Sequence, residues 1–330
     1  MISFRSLIKP LFAVALSLGG LLYAYEVSAQ ESKDVKTRIN YSQEKSGFVV
    51  KARDVVTPYR ETAVFVLPGE SIIVEPLFEA NDAFQLTARS GKLTSQGKHR
   101  WQWQAPNKKG LYKARLKNTT TQETAVLNLF VMVPFERIKN GRLNNYRIGQ
   151  YPESDNPAYQ KPRGFVEVTR ENQNTKISPH FTLKQFLCKQ SSGWPKYVAL
   201  DNRLGIKLEM ILEEVNQQGF DANTFAVLSG YRTPFYNRSI GNVKFSRHVY
   251  GDAADIYIDI NKDGRMDDIN NDGTSDYDDA LTMARWVEDM TEQSWYEPFI
   301  GGLGIYGARP HRGPFIHIDV RGNKARWVKP

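Results

Sequence analysis

The chain has 330 residues, of which 41% are hydrophobic and 24% charged, a composition typical of a folded protein with room for two domains and not of a disordered chain. The formal net charge of +8 favours anionic polymers as partners, but no base-reading or base-stacking module is recognisable, so nucleic acid is not expected among them. The single cysteine, Cys188, excludes a disulfide within the chain, and its apolar surroundings predict a buried thiol.

The first residues, 1–29, predict a secretory signal peptide. Arg5 and Lys9 supply a positive start, an apolar stretch covers residues 11–24, and small residues predict cleavage after Ala29. The stretch is short for a membrane anchor and no later segment is long enough to cross a bilayer, so no stable membrane span is expected after cleavage. We therefore expect an exported protein of the periplasm, the cell envelope or the extracellular space.

A polar flexible lead is expected over residues 30–46, followed by an all-β sandwich over residues 47–134. The second segment has short runs with period-two alternation, separated by turn signals such as Pro68-Gly69. These runs are 63–67, 71–74, 101–103 and 125–131. Their spacing predicts a sandwich, and the run from Trp103 to Tyr112 resembles the late strands of an immunoglobulin-like domain. We expect a spacer or a module that binds the wall or a partner.

Residues 135–178 have little periodicity and predict a connector that packs on a second domain. Residues 179–330 mix helical and strand patterns, which predicts an α+β domain with an antiparallel sheet. Helical spacing of apolar residues predicts two helices, 200–219 and 281–290. Buried or alternating runs predict three strands, 224–228, 254–258 and, as the last strand, 315–320.

Two runs carry the strongest functional pattern: SRHVYGDAAD at 246–255 and FIHIDVRG at 315–322. His248, Asp255 and His317 would supply two imidazoles and a carboxylate. Three such ligands with one position left open for water are the usual set of a catalytic zinc site. The sequence therefore predicts one catalytic zinc ion.

Two further residues are candidates to support these ligands. Alternation along the last predicted strand places Asp319 on the same face as His317, where it could orient the imidazole or pair with a basic residue. Ser246 opens the first run and is the second candidate.

This pattern resembles the zinc D-Ala-D-Ala metallo-carboxypeptidase family, which includes murein endopeptidases and is related to lysostaphin-like enzymes and the hedgehog signalling domain. The family motif Ser-x-His-x-x-Gly-x-Ala-x-Asp, with a distant third ligand, is matched at every position: Ser246, His248, Gly251, Ala253, Asp255 and His317. The likeness covers a little under half of the chain, from about residue 179 onwards. It implies a zinc-dependent peptidase that cuts D-amino-acid-containing bonds of peptidoglycan peptide stems, as an endopeptidase or as a D,D-carboxypeptidase.

The run LSGYRTP at 228–234 also fits this family. The resemblance implies that Arg232, which follows a predicted buried strand, binds a peptide carboxylate or steadies the oxyanion of the reaction. A structural salt bridge is the alternative.

Several residues are candidates for the general base. Part of the family has a second histidine two residues before the last ligand, and this chain has Phe315 there. His311 is the nearest candidate in sequence, with Glu297 and Asp252 as alternatives.

Residues 259–279 predict a calcium-binding insert with one or two structural ions. Acidic and amide side chains recur there at the spacing of an EF-hand-like loop, with Gly273 at the sharp turn and a helix after it. The better candidate ligand set is Asp268, Asn270, Asp272, Thr274, Asp276 and Asp279. A less complete loop comprises Asp259, Asn261 and Asp263. The alternative is a solvated acidic turn.

Two other interpretations compete with the zinc peptidase. Residues 302–307 satisfy G-x-G-x-x-G, but a dinucleotide site needs a following helix and a further strand, so we do not interpret them as one. A non-catalytic, metal-stabilised protein for wall binding or adhesion is the second. Complete ligands and Arg232 favour the enzyme, and the missing second histidine favours the alternative.

Overall fold

A computed structural model describes residues 41–77 and 82–330 of the chain. The predicted signal peptide and most of the predicted lead lie outside the described residues. Among the described residues, no helix has the length and apolarity that a membrane crossing requires.

The first part of the chain forms two sheets that share a core. The strands are β1 Lys45–Ala52, β2 Val55–Tyr59, β3 Glu61–Val66, β4 Ser71–Leu77, β5 Phe84–Ala88, β6 Lys92–Ser95, β7 Trp101–Gln104, β8 Gly110–Asn118 and β9 Thr124–Val131. One sheet has the order β2-β1-β4-β7-β6 and the other β3-β9-β8-β5, with β3 and β9 parallel. Val50, Trp103 and Leu129 are buried between them. The four predicted strand runs are confirmed, and the immunoglobulin-like assignment stays a prediction.

The segment expected as a connector contains strands of its own. The strands of the middle of the chain are β10 Val133–Pro134, β11 Arg142–Leu143, β12 Tyr146–Arg147, β13 Gly164–Val168, β14 Lys176–Ser178, β15 Phe181–Thr182 and β16 Lys196–Val198. β13 pairs with β10 on one side and with β16 on the other. Phe165, Val166 and Val168 are all buried, and because a strand buried on both faces shows no alternation, its pattern gave no strand signal.

The C-terminal part is α+β, as predicted. Its helices are α1 Asn202–Gln217, α2 Pro234–Ser239, α3 Arg247–Tyr250 and α4 Tyr277–Met290. Its strands are β17 Ala226–Ser229, β18 Ala253–Tyr257, β19 Gly302–Tyr306, β20 Phe315–Asp319 and β21 Ala325–Lys329. They form one sheet in the order β17-β18-β20-β19-β21. Residues 302–306 of the glycine-rich run form β19, and the strands β20 and β21 follow it.

Two expectations for this sheet were wrong. β20 is not the last strand, because β21 follows it, and the sheet is not wholly antiparallel, because β21 pairs with β19 in parallel. β21 lies at the sheet edge and alternates half-buried with exposed side chains, so its sequence carries almost no apolar run.

Helix α4 packs against one face of the sheet at β19 and β20, and α1 packs against α4. Ile316 and Ile318 point to that side and are fully buried, while His317 points to the other side, as strand alternation requires. Asp201 is the N-cap of α1: its carboxylate accepts a hydrogen bond from the backbone N–H of Arg203.

The first residues of α1 join the N-terminal sheets to the rest of the molecule. The side-chain oxygen of Asn202 accepts the backbone N–H of Phe65 at 3.0 Å, and its amide donates to Asp54 at 3.0 Å. The backbone N–H of the preceding residue, Asp201, donates to the carbonyl of Gly251 at 2.9 Å. Two adjacent residues therefore connect the β region and the turn of the predicted zinc motif.

Candidate metal centre

Two of the predicted zinc ligands lie in one row across the sheet. The strand register pairs Ser229 with Asp255, Asp255 with His317, His317 with Gly304, and Gly304 with Trp327. Directly paired residues project to the same face, so the row brings residues far apart in sequence to neighbouring positions. The sheet register thus sets the distance between Asp255 and His317.

His248 completes the group from outside the sheet. Its Nε2 lies 3.1 Å from Oδ1 of Asp255 and 3.1 Å from Nδ1 of His317, and the latter two atoms are 2.8 Å apart. All three side chains are buried. Across the described parts of the chain, no other set of three or more His, Cys, Asp or Glu side chains has its ligand atoms within 4.8 Å of one another.

The position of His248 follows from its short helix and the turn that ends it. Nδ1 of His248 is 2.7 Å from the carbonyl of Gly230, which makes it the donor and leaves Nε2 for the group. Gly251 ends α3 with a φ of +81°, and a Cβ there would lie 2.2 Å from the carbonyl oxygen of Ala199. Only glycine fits this turn, both for its backbone angle and for its close contact.

His317 is held on its second nitrogen. Nε2 lies 3.2 Å from Oδ2 of Asp319, which is fully buried and ion-paired with Arg321, whose Nε is 2.9 Å from Oδ1. The backbone N–H of Gly302 also donates to Oδ1 at 2.8 Å. A metal-binding histidine usually donates its other nitrogen to such a carboxylate, which fixes the ring and its tautomer.

The electrostatics of the group suit a divalent cation. Burial would raise the pKa of Asp255, but the two histidines outweigh it and hold that pKa well below its usual range. Burial lowers the pKa of His248, which favours the neutral, metal-binding ring. Burial also acts to lower the pKa of His317, but its hydrogen bonds to Asp255 and Asp319 raise it overall. Two nitrogens and one carboxylate oxygen at such short range are a donor set that zinc accepts.

Arg232 lies on the carboxylate of this group. Its Nη2 donates to Oδ2 of Asp255 at 2.8 Å, its Nε donates to Ser229 at 2.7 Å, and its backbone N–H donates to the carbonyl of His248 at 3.0 Å. The salt bridge that the sequence left as an alternative is therefore present, and its partner is a predicted zinc ligand.

The candidate bases are not brought to the group. His311 is exposed at the tip of a turn, and Glu297 is exposed on a 3₁₀ helix; within the described residues, neither has a hydrogen bond or ion pair with the three ligands. Asp252 is buried in an ion pair with Arg247, and burial raises its pKa to about 6. Ser246 immediately precedes α3, and no described hydrogen bond joins its hydroxyl to the ligands.

Four residues that the motifs did not indicate surround the group. Lys189 and Arg312 lie close enough to Asp255 to interact with its charge. Burial and a neighbouring arginine lower the pKa of both side chains, and the Asp255 carboxylate acts in the opposite direction. Tyr306 and Trp327 form an aromatic wall joined by a hydrogen bond of 2.9 Å. Alternation over residues 325–329 was the one available signal, and it would have placed Trp327 on a strand without showing which strand it joins.

The predicted calcium insert is arranged differently. In its two loops the backbone N–H groups of Asp263 and Asp272 donate to acidic or amide side chains two and four residues earlier, which are ordinary turn contacts. The carboxylate of Asp279 is fully buried and accepts three backbone N–H groups, from Ile269, Asn270 and Asp276. Asp279 thus caps α4 and closes the loop, and its predicted role as a calcium ligand is not supported.

The family model described as Peptidase M15 matches residues 179–286 of the chain. The match includes His248 and Asp255 and ends before His317, which the sheet brings to them. No curated protein matches the chain.

Proposed function

We propose that this protein hydrolyses D-amino-acid-containing peptide bonds of peptidoglycan stems with a zinc-activated water, because the Peptidase M15 family model matches residues 179–286 of its C-terminal region. The products would be those of an endopeptidase or of a D,D-carboxypeptidase. The observation that carries the proposal is the buried group of His248, Asp255 and His317, whose ligand atoms lie within 4.8 Å of one another.

The donor atoms for zinc would be Nε2 of His248, Oδ1 of Asp255 and Nδ1 of His317. When bound, zinc supplies Lewis-acid polarisation of the scissile carbonyl and lowers the pKa of water to near neutrality. The chain's own contribution is orientation: the carbonyl of Gly230 and the carboxylate of Asp319 each hold the far nitrogen of one imidazole. Each contact fixes the direction of one far nitrogen.

The cationic surroundings support an anionic substrate. Arg232 has N–H groups beyond those that contact Asp255 and Ser229, and these are available to a developing oxyanion or to a substrate carboxylate. Lys189 and Arg312 add positive charge near the same carboxylate. Peptidoglycan stems carry several carboxylates, so this charge pattern suits them.

A non-catalytic, metal-stabilised wall-binding or adhesion protein is the second candidate. Phe315 favours it, because it shares the sheet face of His317 at the position where part of the family has a second histidine. His311 and then Glu297 remain our candidates for the general base of the enzyme, although both are exposed. We also propose export to the periplasm, cell envelope or extracellular space, supported by the pattern of residues 1–29.

The test is incubation of the purified protein with cross-linked and uncross-linked muropeptides, with and without a chelator, read by mass spectrometry. Release of D-alanine from uncross-linked stems identifies a carboxypeptidase, and conversion of dimers to monomers identifies an endopeptidase. Both should stop with the chelator and return with zinc. Intact muropeptides in every arm, with zinc bound, would favour the wall-binding candidate.

Variants of the exposed acid–base candidates refine this test. His311→Ala and Glu297→Gln should keep zinc, since neither residue contacts the ligands. The variant that loses turnover while keeping zinc identifies the base, and wild-type turnover in both excludes the two residues.

A further inference from the structure

The edge strand β21 brings an aromatic side chain to the metal centre. Trp327 stands opposite Gly304 in the parallel pairing of β19 with β21, and Gly304 in turn stands opposite His317. The rings of Trp327 and His317 have centroids 5.1 Å apart and are inclined by 49°. The indole therefore crosses β19 at Gly304 and packs against the imidazole.

Gly304 makes this crossing possible. A Cβ built on Gly304 would lie 2.4 Å from Cε2 of Trp327 and 2.5 Å from its Nε1. Real Cβ atoms do not approach ring atoms so closely, so any larger residue would push the indole away from His317. This close contact is a physical reason for a glycine within the run that resembled a dinucleotide motif.

The indole is itself fixed in direction. Nε1 of Trp327 donates to the hydroxyl of Tyr306 at 2.9 Å. The Tyr306 ring stacks on Phe315 with centroids 4.5 Å apart and planes inclined by 8°. Phe315 lies on β20, two residues before His317 and on the same face. Hydrogen bonding and stacking thus tie the indole to the strand that carries the ligand.

A hydrogen bond alone does not fix the tilt of an imidazole. The contact of Nε2 of His317 with Asp319 sets one direction of the ring but leaves rotation about that axis. The ring has two aromatic neighbours: His248, which meets its Nδ1 edge with centroids 4.9 Å apart, and Trp327, with centroids 5.1 Å apart. Of the two neighbours, only Trp327 is independent of the ligand set.

We propose that Trp327 is a positioning residue of the metal centre: it fixes the tilt of His317 so that Nδ1 points at His248 and Asp255, and Gly304 provides the space for its indole. The proposal rests on the proposed zinc site and adds a residue outside the matched family segment. Strand β21 would then contribute to metal affinity through Trp327, in addition to extending the sheet.

The matched controls lie on the same strand. Val328 follows Trp327, projects to the other face and is 45% exposed. Val328→Ala therefore trims the edge strand without touching the ring of His317. Trp327→Phe keeps an aromatic contact but loses the hydrogen bond to Tyr306, and Trp327→Ala removes both.

The experiment measures zinc dissociation constants by chelator competition, together with the melting temperature of each metal-free variant. Trp327→Ala should weaken zinc binding by about tenfold to a hundredfold, the usual effect of removing a group that supports a ligand. Trp327→Phe should fall between Trp327→Ala and wild type, and Val328→Ala should equal wild type. The cobalt-substituted proteins should show a shifted visible absorption band in Trp327→Ala, because the ligand geometry changes.

Gly304 supplies a second, independent arm. Gly304→Ala should weaken zinc binding as Trp327→Ala does, since the methyl group displaces the indole. The double variant Gly304→Ala/Trp327→Ala should be no weaker than Trp327→Ala alone, because the methyl then has nothing to displace. Additive losses would overturn the proposed link between the two residues.

The outcomes separate this inference from the proposed function. Zinc binding of wild-type strength and an unshifted cobalt band in Trp327→Ala and Trp327→Phe would overturn the inference and leave the zinc site standing. A lower melting temperature with unchanged zinc affinity would make Trp327 a structural residue only. Failure of the wild-type protein to bind zinc would instead refute the proposed function itself.

Discussion

Two regions of this chain have the side chains of a metal site, and the fold treats them in opposite ways. His248, Asp255 and His317 are up to 69 residues apart, yet they meet within 4.8 Å in a buried group. The acidic insert at 259–279 is dense in carboxylates within a short segment, yet its side chains accept hydrogen bonds from its own turns.

The difference is one of competing partners. In the insert, Asp259, Asp268 and Asp272 accept backbone N–H groups two to five residues away, so local turns satisfy them without an ion. Around Asp255 the backbone N–H groups are used by the strand ladder, so its buried carboxylate finds its partners among side chains. Asp255 therefore faces His248, His317 and Arg232. A distant set on a fixed register is a stronger indication of a metal site than a dense local run.

The largest effect should come from breaking the buried group. His317→Ala should lose zinc and all chelator-sensitive muropeptide cleavage, because two ligands cannot replace a three-ligand set. Metal analysis by mass spectrometry and the muropeptide assay measure the two effects. His311→Ala is the matched control, an exposed histidine only six residues away that should keep its zinc. Full zinc retention in His317→Ala would refute the ligand assignment.

Arg232 should have the next largest effect. Removing a donor to a developing oxyanion costs about a hundredfold to a thousandfold in turnover. The sequence alone predicts that Arg232→Ala keeps its zinc. The ion pair with Asp255 changes that expectation, because the substitution removes the charged partner of Oδ2 of Asp255. We expect both lower kcat and roughly tenfold weaker zinc binding, measured by steady-state kinetics and chelator competition. Arg232→Lys should restore more affinity than turnover. Cleavage near wild type with only a lower melting temperature would show that Arg232 is structural.

Alanine substitutions at Gly251 and Gly273 should show how tightly the turn after α3 is packed relative to the acidic insert. Gly251 and Gly273 both have positive φ, +81° and +92°, so alanine costs each about 1–2 kcal/mol of stability. A Cβ at Gly251 would also lie 2.2 Å from the carbonyl of Ala199, whereas nothing lies within 4 Å at Gly273. Gly251→Ala should therefore lower the free energy of unfolding clearly more than Gly273→Ala in urea denaturation. Equal losses would mean that the turn after α3 relaxes without cost.

The smallest effect should come from calcium. Asp268, Asn270 and Asp272 remain predicted ligands, but their oxygens already serve the turn, so we expect calcium to raise the melting temperature only slightly. Melts with Ca²⁺ and with EGTA should differ, and Asp272→Ala should abolish that difference while leaving zinc affinity unchanged. Identical melting curves for the wild-type protein with Ca²⁺ and with EGTA would show that calcium does not stabilise this insert.

Local sequence predicted the ligands but not their surroundings. The motif around His248 and the alternation around His317 were sufficient to name the three residues that meet in the buried group, because each is a short-range pattern. Trp327 was missed because its importance depends on a parallel pairing with β19, and pairing is not a property of the strand itself. β13 was missed because it is buried on both faces and therefore lacks alternation.

The general base shows a further limit of sequence proximity. His311 was chosen because it is near His317 along the chain, but the turn that contains it is directed to solvent. Asp319, two residues from His317 on the same strand face, does contact it, because strand geometry fixes that neighbour.

The paired contacts at the start of α1 affect whether the C-terminal part of the chain can fold without the N-terminal sheets. A shortened protein that began at residue 179, where the family match begins, would lack β13 and leave β16 with an open edge. It would also strip Asn202 of both its partners, one residue from the Asp201 contact that anchors the Gly251 turn. The N-terminal sheets thus support the position of the Gly251 turn, and we expect the C-terminal part to need them in order to fold correctly.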